Sequence, residues 1–357
     1  MKYRIFSILV LAILLVSIAP INAQDNITCE EGFRIVEHDL LAEAICVPEN
    51  PERIIAQHLT ALELMLMLDM QPVAQPDQVY LETIYGGAPA TLSRVNELIG
   101  ETPVFGALEI NVEAILSADP DLVLVYQGQA GIEQLREFTT VIEAPVAAFQ
   151  PVNWSDLTDF FAEVIGVSEE YDALYADYEA RIETLHELKL PEFDGASMVY
   201  VQNSGDVNYV GLPGMPLRET MADAGFVPVE TLPVTPQASL EEYGRLIFQL
   251  SDEQISLVDA DVIIIVNGNV NQDDRDSAAA VIEGYRSDPL WSTLDAVEND
   301  RMFAKAVYWQ SNGFVSVHAV VDDMFVDFAG VDPADVSPNP FLTNDEPEME
   351  ATEEADD

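Results

Sequence analysis

The feature that most constrains the fold is a segment that occurs once in each half of the chain. EAILSADPDLVLV begins at Glu113 and EQISLVDADVIII begins at Glu253, so that a Glu, an Asp-x-Asp and an apolar run recur in the same order. LDMQPV from Leu68 and AGFVPV from Ala224 form a second matching pair. A helical stretch followed at once by an apolar strand is typical of parallel α/β sheets, so the repetition predicts two lobes of like topology. Because helix-to-strand turns often carry Asp, a chance match stays open.

Short apolar runs alternate with helical patterns on both sides of the repeat. In the first half we predict strands at Arg53–Gln57, Pro72–Ala74, Pro103–Phe105, Leu122–Tyr126 and Val146–Phe149, and helices at Leu59–Leu68, from Asn111, around Ile132–Phe138 and from Ser155. In the second half we predict a strand at Met198–Gln202, a helix at Pro216–Ala224 and a strand at Val227–Val229.

One long helix is predicted between the halves. Tyr, Leu and Ile recur at three- or four-residue steps over Ser168–Leu188, and Pro191 ends the pattern. The fold class is therefore α/β, with two Rossmann-like lobes on parallel central sheets, joined by one rigid helix and facing each other across a cleft. The expected division is 1–23 signal peptide, 24–47 extension, 48–166 N-terminal lobe, 167–190 connecting helix, 191–330 C-terminal lobe and 331–357 disordered acidic tail.

The beginning of the chain has the pattern of an export signal. Lys2 and Arg4 precede an apolar stretch, Ile5–Ile18, and small residues follow before Gln24. The stretch is shorter than the roughly 20 residues of a membrane helix, although a short anchor is the alternative. Cys29 stands too far along for a lipoprotein site. We therefore expect a soluble protein in the periplasm or on the extracellular side of the membrane.

The only two cysteines, Cys29 and Cys46, lie in the extension. In an oxidising compartment they are expected to form a disulfide that closes the extension into a loop, and two free thiols are the alternative.

The chain is strongly acidic, with a net charge of −50 and only three lysines. This charge excludes a nucleic-acid binder, and a solvated surface suited to high salt explains it most simply. From Asp345 most residues are Asp or Glu, which predicts disorder there.

Three patches of sequence are distinctive together. The first is PENPERII from Pro48 with Leu62-Glu63 and QPV from Gln71; the second runs from Gly106 through NVEAIL to DPDLV at Asp119; the third is DPLW from Asp288, Ala296-Val297 and Tyr308-Trp309. In this order, over residues 47–330, they resemble the substrate-binding proteins of ABC importers for siderophores, haem and cobalamin.

The resemblance implies a monomeric binding protein, not an enzyme, with no resident cofactor. Its partners would be a ferric siderophore and the permease dimer of an ABC importer; haem or cobalamin is the alternative ligand, and a two-lobe tetrapyrrole metal chelatase is the alternative from another class. It also implies that Glu113 and Glu253, one per lobe, dock into basic pockets of the permease. Both are expected in the first turn of a helix, where the helix dipole favours a carboxylate, so two ordinary helix-start acids are the other interpretation.

The candidate ligand-binding residues follow from the rule that ligands contact the carboxyl ends of parallel strands. The rule selects His58, Tyr85, Tyr126, Gln127, Gln150 and Trp154 in the first half and Asn203, Tyr209, Asn267, Tyr308 and Trp309 in the second. Aromatic and amide side chains suit packing on a bulky organic chelate. For each aromatic residue a core position is the alternative, and Trp291 is assigned to the core.

The ligand's charge is constrained by one departure from the family. Some siderophore binders have Arg just after the glycine equivalent to Gly106, where this chain has Ala107-Leu108-Glu109. A trianionic catecholate complex needs cationic partners, and we place only Arg94 and Arg218 near the cleft. A neutral or weakly charged complex, hydroxamate or carboxylate-mixed, is the easier fit.

Direct metal binding and enzyme chemistry find little support. Of the four histidines, only His58 falls at a strand end, so no metal site is expected, although haem could bind through His58 or Tyr85. The chain has no GxSxG, GxxxxGK, strand-linked GxGxxG or HExxH motif.

Overall fold

The computed structural model describes residues 27–106, 110–145, 152–212, 215–229, 232–271 and 274–343. The predicted signal peptide, the Val146–Phe149 strand, Gln150 and the residues after Thr343 lie outside these ranges.

The first sheet has three parallel strands in the order β3-β4-β5. After the hairpin strands β1 (Phe33–Val36) and β2 (Ile45–Pro48), the elements are β3 (Ile54–Ala56), α1 (Leu59–Met67), α2 (Gln78–Tyr85), α3 (Pro89–Ile99), α4 (Val112–Ser117), β4 (Leu122–Tyr126), α5 (Ile132–Leu135), β5 (Thr140–Ala144) and α6 (Trp154–Ile165). Alternate side chains of β4 enter different cores, Leu122 and Leu124 on one face and Val123 and Val125 on the other. Helices therefore cover both faces, and we call this part the N-terminal lobe.

The second sheet has six strands in the order β11-β10-β6-β7-β9, with β8 beside β6. Its elements are β6 (Ser197–Ser204), β7 (Val207–Gly211), α8 (Pro216–Asp223), β8 (Val227–Pro228), α9 (Pro236–Tyr243), β9 (Ile247–Leu250), β10 (Val262–Asn267), α10 (Arg275–Ser287), α11 (Asp295–Glu298), β11 (Met302–Lys305), α12 (Phe314–Met324), α13 (Pro333–Val336) and α14 (Pro340–Thr343). Strands β7 and β9 run antiparallel to their neighbours. Strands β8, β6, β10 and β11 of this part, the C-terminal lobe, are parallel as predicted, and the tight hairpin of β6 and β7 adds β7 and β9 as antiparallel strands at one side.

The connecting helix α7 spans Ser168–Leu188, as its periodicity predicts. Its buried side chains include Tyr171, Tyr178 and Leu185, and they belong to one continuous core with residues of both lobes. A shared core makes the junction between the lobes a packed contact rather than a flexible linker.

The sequence repeat has a structural role. The Asp121 carboxylate accepts hydrogen bonds from Glu52 N at 2.8 Å and Arg53 N at 3.1 Å, and at the equivalent position Asp261 accepts one from Ser197 N at 2.8 Å. Each Asp thereby ties the start of a central strand, β4 or β10, to the start of its neighbour, β3 or β6. The second Asp of Asp-x-Asp therefore sets strand alignment in both lobes.

The extension forms a β-hairpin rather than a loop. Strands β1 and β2 pair antiparallel, and the Cys29–Cys46 disulfide, with Cα atoms 5.6 Å apart, confirms the predicted pairing. Val36 and Val47 are buried in the main core. The Arg34 guanidinium donates to the carbonyl oxygens of Glu163 at 2.6 Å and Val164 at 2.9 Å.

Order continues further towards the carboxyl end than predicted. Helices α13 and α14 lie within the segment 331–357 that was expected to be disordered. The Phe341 side chain is buried, and Asn339 Nδ2 donates to Asp322 Oδ2 at 2.7 Å. This correction follows from apolar Phe341 and Leu342, which precede the acidic residues. Among the described residues, no helix combines the length and apolar character needed to cross a bilayer.

Candidate functional site

A cavity of about 390 Å³ lies between the two lobes. It is formed by the end of α2 and by the segments after β10 and β11, and its lining residues are Glu82, Thr83, Gly86, Gly87, Gly268, Asn269, Val270, Asn271, Ala306 and Val307. Because β10 and β11 are parallel neighbours, this is the carboxyl edge of their sheet, where ligands bind in open α/β folds. We call this cavity the inter-lobe cleft.

The lobes touch closely at the edge of the cleft. A Cβ atom on Gly87 would lie 2.1 Å from Ala306 Cβ and 2.9 Å from the Val270 carbonyl oxygen, so only glycine fits there. Asn271 Nδ2 donates to the Gly86 carbonyl oxygen at 3.1 Å. Gly86-Gly87 therefore lets the N-terminal lobe rest against the strand ends of the C-terminal lobe.

Amide side chains at the ends of β6 and β10 bind one another. Asn267 Nδ2 donates to Asn203 Oδ1 at 2.6 Å, and Asn203 Nδ2 donates to Asn208 Oδ1 at 2.9 Å. Tyr285 Oη donates to the same Asn208 oxygen at 2.6 Å, and Asn269 N donates to Asn267 Oδ1 at 2.8 Å. The structure thus brings the predicted residues Asn203 and Asn267 together, beside a second cavity of about 440 Å³.

His58 is buried at the start of α1. Its Nε2 lies 3.1 Å from the Pro145 carbonyl oxygen, which requires a proton on that nitrogen, and its ring packs 4.2 Å from that of Tyr126. Burial lowers the pKa of His58 to about 3, and the hydrogen bond to Pro145 opposes this only in part. Half-buried Tyr126 accepts from Leu59 N at 3.0 Å. His58 is therefore a neutral core residue rather than an exposed ligand.

Tyr85, predicted to bind the ligand, ends helix α2 and is completely buried. Its hydroxyl donates to Glu63 Oε1 at 2.6 Å. Burial, the Glu63 charge and this hydrogen bond hold the pKa of Tyr85 well above its ordinary value. Tyr85 therefore points into the joint between the lobes rather than towards a ligand.

Tyr308 and Trp309 lie in the core of the C-terminal lobe. The Tyr308 hydroxyl and Trp309 Nε1 both donate to Asp323 Oδ2, the latter at 2.6 Å, and Trp309 is 0 % exposed. Lys305 Nζ lies 3.5 Å from Asp323 Oδ1 and 2.6 Å from Asp327 Oδ2. Both residues were predicted to bind the ligand, and the structure places them at the alternative core position, where Asp323 accepts from both polar atoms.

Trp154 is also completely buried, at the first position of α6. The centroid of its ring lies 5.3 Å from that of Phe314 and 5.0 Å from that of Tyr178. Trp154 therefore packs between the two lobes and α7. Its backbone nitrogen donates to Glu219 Oε2 at 2.7 Å, and the Ser155 hydroxyl donates to Glu219 Oε1. Burial outweighs these hydrogen bonds and raises the pKa of Glu219 to about 7.

Three further predicted residues keep exposed surface. Gln127 follows β4 and is exposed, and Tyr209 is half-buried on β7 opposite Gln202. The Arg218 guanidinium donates to the carbonyl oxygens of Gly211 and Val229, both in its own lobe.

Arg94 pairs on the surface of the N-terminal lobe with Asp69 at 3.4 Å and Glu97 at 3.2 Å.

The cleft contains residues that sequence reasoning missed. Thr83, Asn269 and Asn271 line the cavity, yet none directly follows the last residue of a predicted strand. The dense Gly and Asn content of Asn267–Asn271, typical of a ligand-approaching turn, was the available signal. Within the described ranges, no group of three or more His, Cys, Asp or Glu could hold a metal ion.

The two repeat glutamates are both exposed, as predicted. Glu113 lies in the first turn of α4, and Glu253 lies in the first turn of a 3₁₀ helix, Asp252–Val258, in place of the expected α-helix. Each of these helices is followed directly along the chain by a parallel strand, β4 or β10.

Known proteins share this architecture. YhfQ of Bacillus subtilis (strain 168), named as an ABC transporter substrate-binding lipoprotein, is 21 % identical in an alignment of length 332 that covers 89 % of this chain and 96 % of YhfQ. The crystal structure of Staphylococcus aureus SirA complexed with staphyloferrin B superposes with a TM-score of 0.62 at 20 % identity, covering 82 % of this chain and 98 % of SirA. FeuA of Bacillus subtilis, a triscatecholate siderophore-binding protein complexed with ferri-bacillibactin, has a TM-score of 0.58 at 17 % identity, covering 82 % of this chain and 97 % of FeuA.

The sequence model of one protein family matches residues 74–305, which include the cleft-lining residues of α2 and of the segment after β10 and end just before Ala306 and Val307. The match confirms the family resemblance that was drawn from the three sequence patches. The chain belongs to the periplasmic binding protein family.

Proposed function

We propose that this chain is an extracytoplasmic solute-binding protein that captures an iron–siderophore complex in the inter-lobe cleft and delivers it, as a monomer, to the permease of an ABC importer. The observation that carries the proposal is the cleft at the carboxyl edge of β10 and β11, in a chain of the periplasmic binding protein family. The fold that it shares with SirA and FeuA supports an iron chelate as the ligand class.

The chemistry of the cleft supports a ligand that is held by hydrogen bonds and packing. Thr83, Asn269 and Asn271 bring hydroxyl and amide groups to the cavity, together with backbone groups of Gly86 and Gly268. Among the predicted residues, Tyr126, Gln127, Tyr209 and Arg218 keep exposed surface, and buried Asn267 lines the second cavity, so these five stay candidates.

The charge of these residues favours a neutral or weakly charged complex. The described lining includes Glu82 and contains no Lys, Arg or His. The sequence of the internal segments outside the described ranges, 107–109, 146–151, 213–214, 230–231 and 272–273, also contains no Lys or Arg. Arg218 is the single cation among the retained candidates, and its guanidinium donates to the carbonyl oxygens of Gly211 and Val229, so a trianionic complex would find few charge-assisted hydrogen bonds.

The ligand can be identified from the protein as it is exported under iron limitation. Native mass spectrometry and an absorbance spectrum of the purified protein should show a ferric charge-transfer band. A Soret band would assign haem instead, and a corrinoid spectrum would assign cobalamin. A chain that carries none of these and binds none when they are added would contradict the proposal.

The charge preference is tested with two defined probes, a neutral ferric trishydroxamate and a trianionic ferric triscatecholate. Tryptophan fluorescence quenching should give a Kd at least about tenfold lower for the neutral complex, a difference of about 1.4 kcal/mol. Ala107→Arg places a cation where some siderophore binders have one, and it should reduce the difference between the Kd values of the neutral and the trianionic complex. Tighter binding of the trianion by the parent protein would overturn the preference but leave the binding function intact.

A further inference from the structure

Two glutamate side chains, buried Glu63 and half-buried Glu219, each bind the start of a helix in the opposite lobe. Glu63, from α1 of the N-terminal lobe, meets the start of α12 in the C-terminal lobe. Glu219, from α8 of the C-terminal lobe, meets the start of α6 in the N-terminal lobe. The two helix starts are neighbours, since the rings of Trp154 and Phe314 lie 5.3 Å apart.

The contacts of Glu63 are those of a helix cap supplied by another element. Its Oε2 accepts from Ser316 N, in the first turn of α12, at 2.8 Å, and its Oε1 accepts from the hydroxyls of Ser316 and Tyr85, both at 2.6 Å. The residue at the usual capping position is Gly313, which has no side chain. A Cβ atom there would lie 2.8 Å from Glu63 Oε2, so glycine makes room for the carboxylate.

Glu219 repeats this arrangement at α6. The residue at its capping position, Asn153, makes no capping hydrogen bond with its side chain among the described residues. Glu219 instead accepts from Trp154 N at 2.7 Å and from the Ser155 hydroxyl. A carboxylate at a helix start is favoured both by the unpaired N–H groups and by the helix dipole.

We propose that Glu63 and Glu219 are positioning residues that set the angle between the lobes, each by capping a helix that begins in the opposite lobe. A capping hydrogen bond forms only at short distance. Both caps can therefore be made at the same time in only one relative orientation of the two lobes. Rotation of the lobes away from it leaves first-turn N–H groups of α6 and α12 unpaired in a packed joint. The inference concerns the lobes themselves and does not depend on the identity of the ligand.

The test measures the distance between the lobes without any ligand. Spin labels are attached at Ser93→Cys on α3 and Glu242→Cys on α9, both exposed, in a protein whose two native cysteines are bonded to each other. Double electron–electron resonance should show a shift of more than about 2 Å, or a clearly broader distribution, in Glu219→Ala and Glu63→Ala.

The glutamine variants separate positioning from simple packing. In Glu63→Gln and Glu219→Gln the amide oxygen can accept from the backbone N–H while the amide NH₂ donates to the hydroxyls, which can turn and accept. Both should therefore restore the parent distance distribution, and Glu137→Ala, an exposed control, should not change it. Folded Ala variants with the parent distribution would overturn the inference, and half-buried Glu219 carries this test alone if Glu63→Ala does not fold.

Discussion

At His58 and His318, imidazole rings are held neutral in the interior. Burial lowers the pKa of His58 to about 3 and that of His318 well below its ordinary value, and the nearby Arg181 charge adds to the second effect. In the unfolded chain both rings take up a proton below pH ~6.5. The free energy of unfolding should therefore fall as the pH drops from about 6.5 towards 3, by about 1.4 kcal/mol per pH unit for each ring.

The contribution of Glu219 to stability depends on pH in the opposite direction. Its pKa in the folded protein is about 7, raised from 4.5, so the folded state binds the additional proton between these values. Its contribution to stability is present below pH 4.5 and is lost as the pH rises through 7. The two kinds of group oppose each other between pH 4.5 and 6.5, and a single residue is best measured by comparing variants.

His58→Gln isolates the histidine contribution. The amide can still donate to the Pro145 carbonyl oxygen, but it takes up no proton on unfolding. Between pH 6 and 4 the slope of the unfolding free energy against pH should change by about 1.4 kcal/mol per unit, measured by urea unfolding at each pH. His186→Gln replaces an exposed histidine and is the matched control. Equal slopes for His58→Gln and the parent would contradict the buried, neutral assignment.

At the scale of elements, the β1–β2 hairpin is joined to the rest of the fold by packing as well as by its disulfide. Val36 and Val47 are part of the main core, and Arg34 binds the end of α6. The disulfide joins Cys29 and Cys46, which are 17 positions apart, and so closes a short loop of the chain. Because the hairpin belongs to the core, constraining its unfolded state should stabilise the whole domain.

Replacing both cysteines, Cys29→Ser with Cys46→Ser, should lower the free energy of unfolding by about 3 kcal/mol through the entropy of the open loop. Urea unfolding of the parent in the presence of a reductant should give nearly the same value. The double variant itself should not respond to reductant, which is the control. An unchanged midpoint in both experiments would show that the hairpin unfolds independently of the core.

At the scale of the whole molecule, Glu113 and Glu253 stay candidates for permease docking. Both are exposed in helix first turns, at equivalent places of the repeat. Exposed charges contribute little to stability, and charges at the rim of an interface mainly affect the association rate and orientation.

Glu113→Ala with Glu253→Ala should leave ligand affinity and the unfolding midpoint nearly unchanged and should reduce uptake through the reconstituted importer. The defect should shrink when basic partners on the permease are also neutralised. Glu137→Ala with Glu298→Ala removes two other exposed acids and should transport normally. Normal transport by the Glu113 and Glu253 double variant would exclude the docking role.

Local patterns were enough to predict the main elements. Strand β4 has the bounds predicted from its apolar run, helix α7 has those predicted from its periodicity, and the repeat alone indicated two similar lobes. The Cys29–Cys46 disulfide followed from compartment and number alone. These features depend on periodicity and composition, which are local properties of a chain.

Tertiary contacts decided which side chains face the cleft. Trp309 follows a strand end, as a ligand-binding aromatic would, but hydrogen bonds to Asp323 and sits in the core. Glu63 falls in an apolar helical stretch, and its role appears only when Ser316, 253 positions later, is folded against it. Periodicity reports which face of an element is buried, but the partner that buries it comes from a distant part of the chain, so sequence alone determined the lobes and only the fold determined the joint between them.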